Sequence, residues 1–215
     1  VARAKGELFA GMRPDSVAVV NVDDPLVRRM DLVSRRAITY GSSRDADVQL
    51  ASTEPLVRGG QELTVKLEGS PIVTRLALDG SHNALNATGA LAAAVACGGD
   101  PHRAALRLSG VQAVAGRGAW RQGRRLTVMD DAYNANPSSM KAGLRTLVSR
   151  AQGLRSVAVL GEMFELGPGA DAMHHVVGAE AASLGVARLV AVGDLAESIR
   201  QGALDGGMDG SRVTC

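Results

Sequence analysis

The sequence predicts an α/β protein of two domains, the second of which is built on a parallel, doubly wound sheet. In the second half of the chain, short apolar runs are each followed by a helical pattern, which is typical of β–α units with right-handed crossovers. The first half combines such a unit with a stretch in which apolar and polar residues alternate, and that alternation indicates antiparallel hairpins. Because 46% of the 215 residues are hydrophobic, both halves can form a core.

The first half begins with a helical pattern over residues 2–10, and Gly11 ends it. The apolar run from Val17 to Asn21 predicts a buried parallel strand. Asp100 suits the N-cap of a later helix, and Pro101 suits its first position. The other elements predicted in this half are a helix over 25–33, a strand over 37–40, antiparallel strands within 44–80 and a helix over 83–97.

The stretch 111–123 contains three glycines and little periodicity, so the sequence places a domain boundary there. We therefore expect one domain over residues 1–114 and a second over 115–215. Ligands of a parallel sheet bind beyond the carboxyl ends of its strands. The second domain is predicted to contain strands over 126–129, 157–160 and 189–192, helices over 138–151, 172–184 and 196–204, and the beginning of a strand at the end of the chain.

Composition argues against several classes of protein. The net charge is +2 and no basic block occurs, so neither nucleic acid nor a membrane surface is an expected partner. The longest apolar stretch, around residues 90–97, is far too short to span a bilayer. Cys97 and Cys215 are far apart and have no metal-binding spacing, which favours a reducing, cytoplasmic setting. No signal-peptide pattern opens the chain, and both of its ends look cut.

The segment from Asp130 to Pro137 is the richest in potential chemistry. It follows a strand and precedes a helix, so it lies on the edge where ligands are expected. Neighbouring strand residues point to opposite faces, so only one of Asp130 and Asp131 faces a given ligand, where it can accept a hydrogen bond from a ribose hydroxyl. Asn136 can cap the helix that Pro137 begins. The segment could equally be a well-capped turn and nothing more.

Three other places could carry chemistry, and each has a simpler structural interpretation. Arg117 lies between the predicted domains, where its guanidinium could pair with a phosphate or remain a solvated surface group. Asn83 and Asn86 share a helix face, and their amides could contact a purine edge, although helix capping explains part of the pattern. Lys5 lies near the end of the first helix, where an ordinary surface lysine is the simpler interpretation.

Other signatures of nucleotide and metal sites are weak or missing. The segment 161–167 follows a strand but lacks the second glycine of a dinucleotide-binding fingerprint, which does not favour a nicotinamide cofactor. His174 and His175 are adjacent on a helix and cannot share a face, so no zinc site is predicted. No G-x-x-x-x-G-K-[ST] phosphate loop occurs in the sequence, so the main phosphate cradle of any nucleotide site is not in these residues.

Taken together, the motifs resemble the Mur ligase family, and its MurF type in particular. The resemblance spans nearly the whole chain, and its Y-N-A-N-P segment is specific, since sister ligases and folylpolyglutamate synthases carry other residues there. The matching segments, in the family's order, are ARAKGELF at 2–9, NVDDP at 21–25, GSHNALNA at 80–87, GR at 116–117, DDAYNANP at 130–137 and VLGEMFELG at 159–167.

The resemblance implies a fold and a place within a longer chain. Residues 1–114 would be the later part of a central ATPase domain, and residues 115–215 a truncated Rossmann-like C-terminal domain. The chain would then be an internal fragment that lacks the first domain, the phosphate loop and the end of the last domain. We expect such a fragment to be inactive by itself.

The resemblance also implies a reaction that uses ATP and Mg²⁺. ATP phosphorylates the terminal carboxylate of UDP-MurNAc-tripeptide, and the amine of D-alanyl-D-alanine attacks the acyl phosphate in peptidoglycan precursor synthesis. Lys5 matches a lysine that is carbamylated and supports a magnesium ion indirectly, and Arg117 matches a phosphate contact. The implied nucleotide contacts are Asn86 for adenine, Asp131 for ribose, and Tyr133 and Asn134 beside the nucleotide. The remaining matches, His82, Asn83 and Asn136, are interpreted as local structure.

Two alternatives stay open at this stage. One is a sister amide ligase, such as MurE or folylpolyglutamate synthase. The other is a non-catalytic nucleotide-binding or interaction module. For the ligase we expect a monomer in the cytoplasm, without nucleic-acid partners or membrane insertion.

Overall fold

The fold is described from a computed structural model, which covers residues 2–30, 32, 36–57 and 59–215. The chain divides into two compact units, Val1–Gln112 and Ala113–Cys215. Within the described ranges, no helix is both long enough and apolar enough to cross a lipid bilayer.

The first unit contains a mixed sheet covered by helices. Its elements are α1 (Ala2–Ala10), β1 (Val17–Asn21), α2 (Pro25–Arg28), β2 (Arg36–Gly41), β3 (Val48–Pro55), β4 (Gln61–Leu67), β5 (Ser70–Leu76), α3 (Ser81–Ala96) and α4 (Pro101–Leu108). The strands lie in the order β1-β2-β3-β4-β5. The first three strands are parallel, and the pairs β3–β4 and β4–β5 are antiparallel, which confirms the predicted hairpins.

The β4–β5 hairpin shows how local sequence sets the strand register. Its two turn residues, Glu68 and Gly69, have positive φ angles of 50° and 80°, as a two-residue hairpin turn of the I′ type requires. Leu67 therefore pairs directly with Ser70, and Leu63 and Val65 both point inwards. A polar residue, Gln61, occupies the next inward position and is also buried.

The Ala-rich helix α3 packs across the sheet and closes the core of this unit. Ala84, Leu91 and Ala92 are buried against Val48 and Leu63, which are themselves fully buried. Small side chains on this face let the helix approach the sheet closely, so a core with few aromatic rings still excludes water. The helix begins at Ser81, two residues before the predicted start.

The predicted helix over 25–33 is wrong in length. Asp24 caps its start by accepting from the N–H groups of Leu26 and Val27, but the helix ends at Arg28. The Met30 N–H donates to the Val27 carbonyl, a bond over three residues that tightens the chain and stops the helix. Val33, the predicted end, lies outside the described residues.

The second unit is built on a three-stranded parallel sheet in the order β10-β9-β8. Its elements are β6 (Ala119–Gln122), β7 (Thr127–Asp130), α5 (Pro137–Ala151), β8 (Val157–Leu160), α6 (Ala170–Ser183), β9 (Arg188–Ala191), α7 (Ala196–Asp205), a 3₁₀ turn (Gly210–Arg212) and β10 (Val213–Thr214). The predicted α/β class with parallel sheet elements is confirmed.

One strand of the second unit pairs differently from the prediction. The strand predicted over 126–129 is present as β7, but it forms an antiparallel hairpin with β6 and not a fourth parallel strand. Sequence analysis did not identify β6. The pairing is local: the Gly123 N–H donates to the Leu126 carbonyl at 2.8 Å, which closes a tight turn between the two strands.

Helices α6 and α7 cross so closely that their backbones touch. A methyl group added at Gly178 would lie 1.9 Å from the Ile199 carbonyl oxygen, and one added at Gly202 would lie 1.9 Å from the carbonyl oxygen of His175. Only glycine permits this approach. The crossing buries Val177 and Ile199 completely.

We expect Gly178→Ala to destabilise the second unit, because the added methyl group must push the two helices apart. Overpacking of this kind costs about 1–3 kcal/mol. Urea unfolding followed by the fluorescence of Trp120, the single tryptophan of the chain, measures the loss. Gly161→Ala is the matched control, because nothing lies within 4 Å of a methyl group there. Equal midpoints for the two variants would contradict the close crossing.

Candidate active site

The segment that follows β7 folds back onto the Gly116-Arg117 turn. The Tyr133 N–H donates to the Gly116 carbonyl at 2.9 Å, and the Arg117 guanidinium carbon lies 4.1 Å from the centre of the Tyr133 ring. Gly116 has a φ angle of +76°, and a side chain there would crowd the Tyr133 backbone at 3.2 Å. The structure therefore brings together two residues that are 16 positions apart and were predicted separately.

Stacking on the ring orients the arginine without using its donors. The face of an aromatic ring attracts the flat face of a guanidinium cation. The N–H groups lie in the plane of the guanidinium and are not used in that contact. Arg117 is exposed, and the Tyr133 side chain is 66% exposed. The pair thus presents an oriented cation to solvent at the carboxyl end of β7, where a bidentate contact with phosphate oxygens is possible.

The two aspartates at the end of β7 have different surroundings, as their alternation predicts. Asp130 is partly buried and its carboxylate lies 3.5 Å from the Arg121 guanidinium nitrogen, within the β6–β7 hairpin. Asp131 is exposed, and its carboxylate lies beside Gly143 of α5, 3.1 Å from the position of an added methyl group. Asp131 is therefore the carboxylate that a ligand at this edge could reach.

The asparagines of the segment serve the backbone. The Asn136 side chain accepts from the Ser139 N–H at 2.9 Å, and the Ser139 hydroxyl accepts from the Asn136 N–H at 3.0 Å, so a capping box starts α5. The predicted cap is confirmed. The Asn134 side chain accepts from the Ala135 N–H at 2.9 Å, which leaves its NH₂ group to donate elsewhere.

In the first unit, Asn86 lies on the exposed side of α3, one turn after the start of the helix. Its neighbour Asn83 donates to the Asp79 carbonyl at 2.8 Å and is part of the local structure, as interpreted from the sequence. Asn86 is thus the asparagine of this pair whose amide is presented to solvent.

The turn that leads into α3 is held by a buried glutamine that sequence analysis missed. The Gln61 amide donates to the Leu78 and Gly80 carbonyls, both at 2.9 Å, and the Gly60 N–H donates to the Asp79 carboxylate at 3.0 Å. Gln61 is 6% exposed. The available signal was its register, because a polar residue occupied an inward position of an alternating strand.

The Lys5 side chain of α1 is exposed. Phe9, four residues further along the same helix, packs with Ala18 and Val20 of β1 and anchors the helix. Lys5 and Asn86 belong to the first unit, whereas Arg117, Asp131, Tyr133 and Asn134 belong to the second. Throughout the ranges that the structure describes, no three His, Cys, Asp or Glu side chains are grouped so that they could hold a metal ion.

The acidic residues after β1 have structural roles. The Asp23 carboxylate accepts from the Ser42 N–H at 2.6 Å and from the Ser43 N–H at 3.1 Å, which ties the ends of β1 and β2 together. Burial raises the pKa of the neighbouring Tyr40 hydroxyl, and the charge of Asp23 raises that pKa further. This phenol therefore stays neutral well above neutral pH.

Two family models match the chain along most of its length. The Mur ligase middle domain matches residues 1–94, and the glutamate ligase domain of Mur ligases matches residues 116–214. The chain belongs to the Mur ligase family.

Relatives in the family share sequence with both units. The UDP-N-acetylmuramoyl-tripeptide–D-alanyl-D-alanine ligase of Mycobacterium tuberculosis H37Rv is 37% identical over 202 residues, which cover 90% of this chain and 39% of that protein. The ligase of the same name from Bacillus subtilis 168 is 32% identical over 205 residues, which cover 95% of this chain and 44% of that protein. The present chain thus spans about two fifths of the length of these relatives.

Solved structures place the whole chain in the same fold. MurF from Acinetobacter baumannii superposes with a TM-score of 0.87 at 28% identity, covering 99% of this chain and 45% of that one. MurF from Thermotoga maritima, solved in complex with ADP, superposes with a TM-score of 0.80 at 21% identity, covering 99% of this chain and 52% of that one.

We expect Gln61→Leu to destabilise the first unit, because the Leu78 carbonyl loses its donor, whereas the Gly80 carbonyl keeps the N–H groups of Asn83 and Ala84. Each buried polar group left unsatisfied costs about 1–3 kcal/mol. Urea unfolding followed by circular dichroism measures the loss, and Trp120 fluorescence should stay unchanged because it reports the second unit. Gln49→Leu is the matched control, since the Gln49 amide makes only an exposed contact of 3.4 Å with the Ser42 carbonyl. A loss no larger than that of the control would refute the role of Gln61.

Proposed function

We propose that this chain forms the ATP-using and Rossmann-like parts of a ligase that joins D-alanyl-D-alanine to UDP-MurNAc-tripeptide. The observation that carries the proposal is that identity of 32–37% with ligases of that name runs through both units of the chain. The oriented Arg117–Tyr133 pair and the exposed Asp131 supply suitable groups for a nucleotide at the carboxyl end of β7. ATP, both substrates and the activity are parts of this proposal.

The proposed reaction has two chemical steps. The terminal carboxylate of the tripeptide attacks the γ-phosphorus of ATP, which gives an acyl phosphate and releases ADP. The free amine of D-alanyl-D-alanine then attacks the acyl carbon, an amide bond forms, and inorganic phosphate leaves while the amine loses a proton. Negative charge accumulates on the transferred group, so cationic partners accelerate the first step.

The second unit supplies four of the proposed nucleotide contacts. Arg117 pairs with phosphate oxygens, because stacking on Tyr133 holds its plane and leaves its donors in place. Asp131 accepts hydrogen bonds from the ribose hydroxyls. Tyr133 and Asn134 lie beside the nucleotide, where the amide NH₂ of Asn134 can donate to it. Asn86 of the first unit contacts the adenine edge through its exposed amide.

Lys5 has a different proposed role, as the carbamylated lysine. Carbamylation requires a lysine that carbon dioxide can reach, and the exposure of Lys5 meets that condition. The modification converts a cation into an anion that can support Mg²⁺ indirectly. The described residues offer no ready-made group of three metal-binding side chains, which is consistent with a magnesium ion held largely by ATP phosphates.

We retain four further expectations as proposals. The domains are residues 1–114 and 115–215, a division supported by the contact boundary between Gln112 and Ala113. The ligase acts as a monomer, in the cytoplasm and without a nucleic-acid partner. Sedimentation of the ligase at micromolar concentration tests the monomer directly.

The function is tested in a full-length ligase that contains this sequence. Phosphate release should require ATP, UDP-MurNAc-tripeptide and D-alanyl-D-alanine together, and mass spectrometry should identify the pentapeptide product. A UDP-N-acetylmuramate–L-alanine ligase of Streptomyces griseus is 34% identical over 160 residues, so UDP-MurNAc with L-alanine is the informative comparison. Turnover only with UDP-MurNAc and L-alanine would contradict the proposal and indicate a sister ligase. Tight ATP binding without turnover would favour a non-catalytic module.

We expect Asp131→Asn to weaken ATP binding while the melting temperature without ligand stays nearly unchanged. Loss of a hydrogen bond to a charged group costs about 1.5–3 kcal/mol, or roughly a ten- to hundredfold change in the binding constant. Titration calorimetry of the full-length ligase measures the ATP binding constant. Asp130→Asn is the control, since its carboxylate faces Arg121 and its loss should leave ATP affinity unchanged. A lowered melting temperature with unaltered ATP binding would make Asp131 a turn residue only.

We expect Lys5→Ala to lower kcat roughly hundredfold, the scale of removing one electrostatic stabiliser of the transition state, without a comparable loss of stability. Bicarbonate should not restore this variant, whereas a short carboxylic acid should restore it in part by supplying the missing carboxylate. Arg3→Ala, an exposed cation on the same helix, is the control and should keep full turnover. Near-normal turnover of Lys5→Ala would rule out the carbamate.

A further inference from the structure

His174 of α6 is fully buried, and both of its ring nitrogens are used by the backbone. The Met163 N–H donates to Nε2 at 2.8 Å, so this nitrogen carries no proton. Nδ1 lies 2.7 Å from the Ala170 carbonyl oxygen and therefore carries the proton and donates it. The geometry specifies one neutral tautomer.

This histidine pins the loop that follows β8, residues 161–169. Met163 is 3% exposed, and its backbone is fastened to the interior of the unit, so the loop is fixed at its third residue. Leu166 also packs against the core of the unit, and Phe164 and Glu165, which lie between these two contacts, are exposed. Phe164 is 74% exposed, and Glu165 has a φ angle of +61°, a conformation that costs energy for a residue other than glycine.

The pinned loop lies at the ligand-binding edge of the parallel sheet. Strands β8 and β9 are parallel neighbours, so their carboxyl ends meet at one edge. There the Glu162 side chain packs against Gly193, which follows β9: its Cδ lies 3.0 Å from the position of a methyl group added at Gly193. The Met163 anchor thus also fixes where the adjacent Glu162 carboxylate lies.

The charge of the loop discriminates among the proposed substrates. Residues 161–169 include two glutamates and neither lysine nor arginine. ATP and the UDP-linked tripeptide are polyanions, which such a loop repels. D-alanyl-D-alanine carries no net charge, so the loop does not repel it as a whole; its ammonium group can pair with a glutamate, and its methyl groups suit an exposed aromatic ring.

We propose that His174 is a positioning residue that holds the 161–169 loop in the conformation that receives the amine-bearing dipeptide. It acts through the Met163 amide and does not touch the substrate. This inference rests on the proposed function, and it adds a residue and a loop to the part of the site that binds the acceptor.

Substitution of His174 by glutamine or by asparagine tests its two hydrogen bonds separately. In His174→Gln the side-chain oxygen can reach the place of Nε2 and still accept from Met163. In His174→Asn the shorter amide reaches only the place of Nδ1, so it can donate to Ala170 but cannot hold Met163. Both variants place an uncharged amide in the same buried position, and this makes them a matched pair.

The variants are compared by steady-state kinetics in the full-length ligase. We expect His174→Asn to raise KM for D-alanyl-D-alanine about tenfold or more, the scale of one lost interaction, while KM for ATP changes less than about twofold. His174→Gln should stay close to the wild type. Amide hydrogen exchange should show Met163 deprotected in the Asn variant only. Val177→Ala, a buried change on the same helix, should lower stability without moving either KM.

The outcomes distinguish the two proposals. Wild-type turnover with D-alanyl-D-alanine establishes the function independently of any variant. If Met163 is then deprotected in His174→Asn while KM for the dipeptide is unmoved, or if both KM values rise together, the positioning role is overturned and the function stands. If the wild type does not use the dipeptide, both proposals fail.

Discussion

The turns between elements leave backbone polar groups without a partner in a sheet or helix, and the structure depends on single side chains that bond these groups. Asp23 binds the N–H groups that follow β2, Gln61 binds the carbonyl groups before α3, and His174 binds the loop after β8. Buried backbone groups must be satisfied, so each turn takes the conformation that its one polar side chain permits.

The close packing beneath those turns results from a core with few aromatic side chains. Aromatic residues make up 2% of the chain, so alanine, valine, leucine and glycine fill the interior. Small residues permit close approach, as in α3 against its sheet and in the contact of α6 with α7. Such packing leaves few adjustable side chains, which keeps His174 in one position relative to β8 and β9.

In each unit, the candidate site residues differ in exposure from the buried polar residues that hold a turn or loop in place. Arg117, Tyr133, Asp131 and Asn86 are exposed, whereas Gln61 and His174 are buried and act on the backbone. An exposed group can meet a nucleotide only if its own backbone is fixed, because ordering it at the moment of binding would cost free energy. Under the proposed function, a buried polar residue of this kind acts by fixing the backbone and reaches no ligand.

The sequence by itself determined most of the elements, their order and the family. Periodicity and capping residues located the strand over 17–21, the hairpins of the first unit, and α5 with its Asn136 cap, because these depend on neighbours a few positions away. Family motifs singled out Lys5, Asn86, Arg117 and Asp131, whose roles remain predictions. Only the tertiary structure decided the pairing of β7 with β6, the stacking of Arg117 on Tyr133, and the roles of Gln61 and His174. The pairing of β7 with β6 is local, but a strand pattern does not specify which neighbour the strand pairs with. The contacts of Arg117, Gln61 and His174 have partners that no local pattern specifies, since a buried polar residue is explained only by the backbone group that it satisfies.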